Sequence, residues 1–211
     1  MTIRAVIFDL GGVVLGSPLH AIAEYEEELG LPLNAVNRVV ASTAPGGAWS
    51  RLERGEISME QFYTDFEADC QAAGHTLSAR EMMTRMGAAA QPRPIMLNAI
   101  GRLREHGFLT AALTNNWAPE AGAVSDGTQA LRALFDVFIE SSVEGMRKPD
   151  PRIYALTCER LSISPAEAVF LDDIGSNLKA ARAFGLGTIK VEDPRTALSE
   201  LQQQIDLALL D

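Results

Sequence analysis

The run Ala5-Val6-Ile7-Phe8, stopped by Asp9-Leu10-Gly11-Gly12, decides the fold. Four consecutive apolar residues, β-branched and aromatic, without polar alternation, describe a strand buried on both faces. A carboxylate and two glycines at its C-terminal end mark a functional turn. The same grammar recurs at 108–113, which stops at Thr114-Asn115-Asn116, and at 137–140, which stops at Ser141-Ser142. It recurs again at 168–171, before Asp172-Asp173, and at 188–191, before Glu192-Asp193. Helical spacing fills the intervals over 95–105, 128–134, 151–161, 177–184 and 196–209. This alternation predicts an α/β fold: a doubly wound, mostly parallel sheet with helices on both faces.

Between Ser17 and Gln91 the alternation lapses. Ile22, Tyr25, Glu26 and Leu29, then Phe62, Phe66 and Cys70, keep helical spacing, and glycine and proline turns punctuate the segment. The pattern predicts a helical cap subdomain over 17–91, inserted after the first strand, with 1–16 and 92–211 forming the core. Gly16-Ser17-Pro18 and Gln91-Pro92-Arg93-Pro94 are the expected hinges. Met82, Met83 and Met86 read as packing within the cap. Trp49 and Arg51 are placed in a loop from Gly46 to Gly55, facing substrate or solvent.

With 211 residues, 47% hydrophobic and 22% charged, the chain reads as one compact unit with an insertion, neither disordered nor a disulfide scaffold. Cys70 and Cys158 have no CxxC spacing and read as reduced structural thiols. Eighteen basic against 28 acidic residues leave a net charge of −10 with no Lys/Arg run, so nucleic acid is not an expected partner. No stretch reaches the ~18 apolar residues of a membrane span, and the start lacks a secretory core, so no membrane partner and a cytoplasmic location are expected. His20, His75 and His106 have no metal-ligand spacing.

Ligands of open α/β sheets bind beyond the carboxyl ends of the strands. Asp9, Thr114, Asn115, Lys148, Asp172 and Asp173 collect there. Singly, each reads as a turn or cap residue, and Lys148-Pro149-Asp150-Pro151 as a surface turn opening a helix. Jointly, carboxylates, a hydroxyl, an amide and an ammonium suit a divalent cation and a phosphate. Mg2+ takes one or two carboxylates plus waters and substrate oxygens, and Asp9 with Asp173 supplies that pair.

In this order, Phe8-Asp9-Leu10-Gly11-Gly12-Val13, Leu113-Thr114-Asn115-Asn116, Arg147-Lys148-Pro149 and Phe170-Leu171-Asp172-Asp173-Ile174-Gly175-Ser176-Asn177 resemble the four motifs of the haloacid dehalogenase superfamily. The stretches 113–117, 138–141, 145–149 and 171–175 are most similar to the phosphatase-like N-terminal domain of soluble epoxide hydrolases. The chain shows no Gly-x-Ser-x-Gly or equivalent turn of the epoxide-hydrolyzing domain that follows there. The resemblance implies a Mg2+-dependent phosphohydrolase that acts on a small phosphorylated metabolite through an aspartyl phosphate on Asp9. It implies a metal site of Asp9, the Gly11 carbonyl and Asp173, with Asp172 orienting a metal-bound water. Thr114 and the backbone amide of Asn115 would hold the phosphate, Lys148 would neutralise it and pair with Asp9, and Trp117 would cover the site. Asp9, so close to Mg2+ and Lys148, is expected to stay ionised.

One position departs from the pattern. The family's phosphatases carry a second Asp, an acid/base, two residues after the nucleophile, where this chain has Gly11. General acid-base help is worth about 10² to 10⁴ in rate. Two alternatives therefore stay open: a hydrolytic dehalogenase using Asp9 on carbon, and a weakly catalytic binding or regulatory protein.

Overall fold

The structure, a computed structural model, describes residues 2–118 and 128–210. Strands β1 (Ala5–Phe8), β2 (Leu109–Thr114), β3 (Val137–Glu140), β4 (Ala168–Asp172) and β5 (Gly187–Lys190) form one sheet in the order β3-β2-β1-β4-β5. Every pairing is parallel. After β1 come helices α1 (Pro18–Glu28), α2 (Ala35–Thr43), α3 (Ala48–Glu53), α4 (Met59–Ala72) and α5 (Ala79–Ala89). The remaining helices are α6 (Pro94–Glu105), α7 (Thr128–Arg132), α8 (Ser141–Glu144), α9 (Pro151–Leu161), α10 (Gly175–Phe184) and α11 (Pro194–Ile205).

The pleat of β1 explains why both faces of the sheet are covered. Val6 and Phe8 enter one cluster, with Met96, Ile100 and Leu103 of α6 and Leu198 and Leu201 of α11. Ala5 and Ile7 enter the opposite one, with Ile153 and Tyr154 of α9 and Leu178 and Ala181 of α10. Two of these helices start at local signals: Asp150 caps α9 through the Arg152 amide, Asp193 caps α11 through the Thr196 amide, and each helix opens on a proline.

Helices α1 to α5 have a hydrophobic cluster of their own, in which Ile22, Val39, Leu52, Met82, Met83 and Met86 surround Phe62 and Phe66, whose rings stack at 5.2 Å. The chain enters and leaves this insert side by side. Gly16 donates its amide to the Gln91 carbonyl (2.8 Å), Arg93 donates to the Val14 carbonyl (2.9 Å), and Leu15 pairs antiparallel with Pro92. A Cβ on Gly16 would lie 2.2 Å from the Ala89 carbonyl oxygen, so this close approach requires glycine.

Two expectations are corrected. Residues 48–53 form helix α3 rather than a loop; Trp49 is buried in the insert's cluster, and Arg51 pairs with Asp65 at 3.0 Å. Flanking glycines concealed a helix of less than two turns. Helix α11 stops at Ile205 rather than at 209, because Asp206 adopts a left-handed conformation (φ 52°) and Leu209 folds back onto the first cluster. Gln202 Oε1 receives the amides of Leu209 and Leu210, both at 2.7 Å.

Burial pushes the Cys70 thiol up to about 12 and that of Cys158 to about 11, which keeps both unreactive. Among the described residues no helix is long and apolar enough to cross a membrane.

Candidate active site

Asp9 leaves the central strand β1 and is only 7% exposed. Its Oδ1 accepts from the adjacent Leu10 amide (2.7 Å) and from Lys148 Nζ (2.9 Å). Lys148 has no exposed surface, and its ammonium also donates to Asp172 Oδ2 at 2.7 Å. Asp172 ends the neighbouring strand β4. Its carboxylate additionally accepts from the Ile174 amide (2.7 Å) and from Asn177 Nδ2 (3.1 and 3.2 Å). Asp173 follows directly, packed against Gly12. A Cβ on Gly12 would lie 2.1 Å from Asp173 Oδ2, and Gly12 has a φ of 80°, so the second glycine of the turn is dictated by this carboxylate. Oxygens of Asp9, Asp172 and Asp173 all lie within 4.8 Å of one another.

The loop after β2 braces this cluster. Asn115 clamps Lys148 by both ends of its amide: Oδ1 accepts from the Lys148 backbone N–H (2.8 Å) and Nδ2 donates to the Lys148 carbonyl (3.1 Å). Asn116 ties the loop to the end of β3 through Ser141 Oγ (2.9 Å) and Glu140 Oε1 (2.7 Å). Thr114 is buried beside them, its hydroxyl 3.5 Å from the Asn115 carbonyl. Trp117 meets Trp49 of the insert edge to face, with ring centroids 6.4 Å apart.

Burial is the main influence on Asp9 and pushes its carboxyl up to about 8; Lys148 opposes this, and Asp172 and Asp173 add to it. Burial, then Asp172, pushes Asp173 up to about 6 against the pull of Lys148 and Arg93. For Lys148 burial acts downward, but Asp172 and Asp9 together outweigh it and hold the ammonium above the usual lysine range. With Lys148 as the only cation beside it among the described residues, burial favours the neutral form of Asp9, and a divalent cation at this cluster would act in the opposite direction. Three carboxylates around one lysine are a surplus of negative charge and an all-oxygen donor set. Both fit a hard divalent cation such as Mg2+. Of the three carboxylates Asp172 is the most fully engaged, held by Lys148, Ile174 and Asn177.

This arrangement makes stability depend on pH in a calculable direction. Both carboxyls are raised above the ordinary 3.8, so the folded state binds their protons more tightly than the unfolded state. Their contribution is full below about pH 4 and is lost as pH rises through about 6 and then 8. Without added cation, the melting temperature should fall over this window. Saturating Mg2+ should stabilise more at pH 8 than at pH 5, where protons compete for the same oxygens. Thermal unfolding with and without Mg2+ checks this, and a Mg2+ effect that shrinks as pH rises would remove Asp9 and Asp173 as ligands.

Residues 3–185 match the haloacid dehalogenase-like hydrolase family. The chain belongs to this family. Among curated relatives of this haloacid dehalogenase-like hydrolase, mouse Acyl-CoA dehydrogenase family member 10 is 39% identical over 98% of the chain. Pig Bifunctional epoxide hydrolase 2 is 36% identical over the whole chain. The chain spans only 19% and 40% of those proteins' lengths. More distant relatives include a sesquiterpene phosphatase of Aspergillus oryzae, 27% identical over 97% of each chain. They also include an (S)-2-haloacid dehalogenase of Pseudomonas, 26% identical over 90% of this chain and 84% of that one. A family enzyme from Bacteroides thetaiotaomicron, solved with magnesium and inorganic phosphate, shares the fold with a TM-score of 0.63 at 20% identity, over 90% of this chain and 96% of that one.

The structure gathers Asp9, Lys148, Asp172 and Asp173 directly, with Gly11 in the turn between Asp9 and Gly12 and Asn115 bonded to Lys148 with Thr114 next to it, while Trp117 packs on Trp49 and the insert's cluster. The sequence reading of this hydrolase missed Asn177, which sits in the quoted Asp172-to-Asn177 motif and holds Asp172. It also missed Arg93, whose Nη1 donates to the Gly12 carbonyl (2.8 Å) and contacts that of Val13 (3.4 Å). The signal for Arg93 was present in the Pro92-Arg93-Pro94 hinge, but only as a break in a helix.

Proposed function

We propose that this haloacid dehalogenase-like hydrolase is a Mg2+-dependent phosphohydrolase that cleaves a small phosphorylated metabolite through an aspartyl phosphate on Asp9. The observation that carries the reading is the buried cluster of Asp9, Lys148, Asp172 and Asp173. Phosphoryl transfer needs positioning and charge stabilisation, which an ammonium and a cation site provide. Displacement at carbon, followed by hydrolysis of the aspartyl ester, needs no metal and would leave the paired carboxylates Asp172 and Asp173 unexplained.

Asp9 Oδ2 is the attacking oxygen, since Oδ1 carries both hydrogen bonds. It forms a bond to phosphorus as the ester P–O bond breaks, and the leaving oxygen departs with the electron pair and takes a proton from water. A second water then attacks phosphorus, loses its proton to solvent, and releases inorganic phosphate while Asp9 is regenerated. The Thr114 hydroxyl and the backbone N–H of Asn115 hold the phosphoryl oxygens, and Lys148 neutralises them. Mg2+, bound when present by Asp9, Asp173 and the Gly11 carbonyl, supplies further positive charge beside those oxygens. Asp172 keeps Lys148 in place and would orient a water of the cation. Helices α1 to α5 act as the cap that excludes bulk water, a role supported by the contact of Trp49 with Trp117.

A panel of metabolite phosphates, with and without Mg2+, tests this, with halide release from 2-haloacids followed in parallel. Phosphate release that EDTA abolishes is the expected result. Metal-independent halide release would favour the dehalogenase reading, consistent with the Pseudomonas relative. Phosphate binding without turnover would favour a binding protein.

A further inference from the structure

The cap's contact with the core runs through an ion pair that the reaction above does not use. Arg147 Nε lies 2.5 Å from Glu53 Oε2, and Arg147 Nη1 lies 3.3 Å from Ser50 Oγ. Glu53 is only 6% exposed, and its other oxygen accepts from Trp49 Nε1 at 3.0 Å. Glu53 ends α3, which is itself pinned inside the insert: the Ala48 amide donates to Asp69 Oδ2 (3.0 Å), and Arg51 pairs with Asp65 (3.0 Å). Next to it the backbone approaches the core closely, since a Cβ on Gly55 would lie 2.4 Å from the Ser142 carbonyl oxygen. On the core side, Arg147 is peptide-bonded to Lys148, whose backbone N–H and carbonyl are both clamped by Asn115.

From this geometry we infer that Glu53 is a positioning residue for Lys148, acting through Arg147, so that docking of the insert and setting of the buried ammonium are one event. Lys148 is held by Asn115 from the core and, one residue away, by Glu53 from the insert. With the insert's hold removed, only one side of the clamp remains, and the ammonium loses its fixed distance to Asp9 and Asp172. A desolvated ion pair is a poor source of net stability compared with apolar packing, so its value here lies in geometry. A group placed within a few tenths of an ångström matters for rate more than for stability. The inference rests on the phosphohydrolase reading for its kinetic consequence, and on the fold alone for its structural one.

Two readouts test it, one of them independent of activity. The chain has three lysines, of which Lys148 is fully buried and Lys179 and Lys190 are exposed. An amine-reactive ester followed by mass spectrometry should label Lys148 slowly in the parent and about tenfold faster in Glu53→Gln, with Lys179 and Lys190 unchanged as internal controls. The phosphatase assay should show kcat lowered about tenfold in Glu53→Gln with KM little changed, for aryl and alkyl phosphates alike, and Glu53→Asp should recover part of the loss. Arg147→Met should give the same phenotype, and the double variant should lose no more than either single one. Trp49 and Trp117, the chain's two tryptophans, face each other across the boundary, so their fluorescence should change in Glu53→Gln. Unchanged Lys148 labelling in a folded Glu53→Gln protein would overturn the inference, whatever the activity. So would a loss confined to alkyl esters, which would make Glu53 a proton donor, or additive losses in the double variant. If Glu53→Gln does not fold, Glu53→Asp and Arg147→Met carry the same labelling test. A parent without phosphatase activity would remove the function proposed above and leave the labelling result to decide this one.

Discussion

Asp9→Asn lowers phosphate release by more than about 10³-fold and leaves the protein folded. An amide oxygen is too weak a nucleophile to attack phosphorus, and the substitution also removes a charge from the cation site. The fold is spared for a reason visible in the geometry. The Leu10 amide, at 2.7 Å, and Lys148 Nζ, at 2.9 Å, both donate to one oxygen of Asp9, and an Asn carbonyl accepts both. Burial already favours the neutral form of this side chain, with its carboxyl pushed up to about 8, so Asn resembles the protonated state and costs little. The variant should therefore show a flatter dependence of melting temperature on pH than the parent between about 4 and 8, since the group that keeps its proton in the folded state and loses it on unfolding there is gone. Phosphate release and thermal unfolding across pH measure both halves. Turnover equal to the parent's would place the nucleophile elsewhere, and an unchanged pH dependence of melting would show that Asp9 is not the buried acid.

Gly11→Asp raises turnover of alkyl phosphates by up to about 10²-fold and changes aryl and acyl phosphates little. Without a carboxylic acid next to the nucleophile, the leaving oxygen departs as a strong base unless its own acidity is high. The parent should therefore depend steeply on leaving-group basicity. The structure removes the conformational objection to the variant. Gly11 has φ −64° and ψ 125°, open to any residue, and an added Cβ would make only ordinary contacts of 3.5 and 3.6 Å with the Pro18 ring. Its neighbour behaves oppositely: at Gly12, with φ 80° and Asp173 Oδ2 2.1 Å from the added Cβ, alanine displaces a proposed metal ligand. Gly12→Ala is thus the negative control for the same turn. Rates on a series of esters with graded leaving groups, in the parent and in Gly11→Asp, supply the measurement. A parent already fast on alkyl esters, with no leaving-group dependence, would show that another group delivers the proton.

The parts of the site that lie within a few residues of a strand end were readable from the sequence. Asp9 and Asp172-Asp173 announce themselves because a buried apolar run and the polar residue that stops it are adjacent in the chain. Helices α9 and α11 were legible from their apolar spacing, with Asp150-Pro151 and Asp193-Pro194 at their starts. The order of the strands was not, because β1 pairs with β2 and β4 across long connections that leave no local trace. Helix α3 was hidden because six residues between glycine-rich turns are too few to show a period. The upward push on the Asp9 carboxyl was not legible for a different reason. Lys148 was visible as a partner, but desolvation and the repulsion of two further carboxylates exist only once β1, β4 and the Lys148 loop are assembled. Glu53 carried no signal at all, since its partner Arg147 is far away along the chain and its neighbours in α3 are ordinary helix residues.

The paired entry and exit of the insert has an evolutionary consequence. Gly16 and Gln91 share a hydrogen bond, and Leu15 sits opposite Pro92, so the two cut points are one strand spacing apart, about 5 Å. Any segment whose ends meet at that distance can be exchanged there as a cassette, and the register of the sheet is not disturbed. Insertions and deletions inside 17–91 then act as a neutral reservoir of shape variation, while the loops at the strand ends stay fixed. Arg147 is where this modularity stops. A replacement cassette without a carboxylate at the place of Glu53 arrives with an unpaired guanidinium beneath it, so grafts from relatives should succeed as pairs, the insert together with the residue before the lysine.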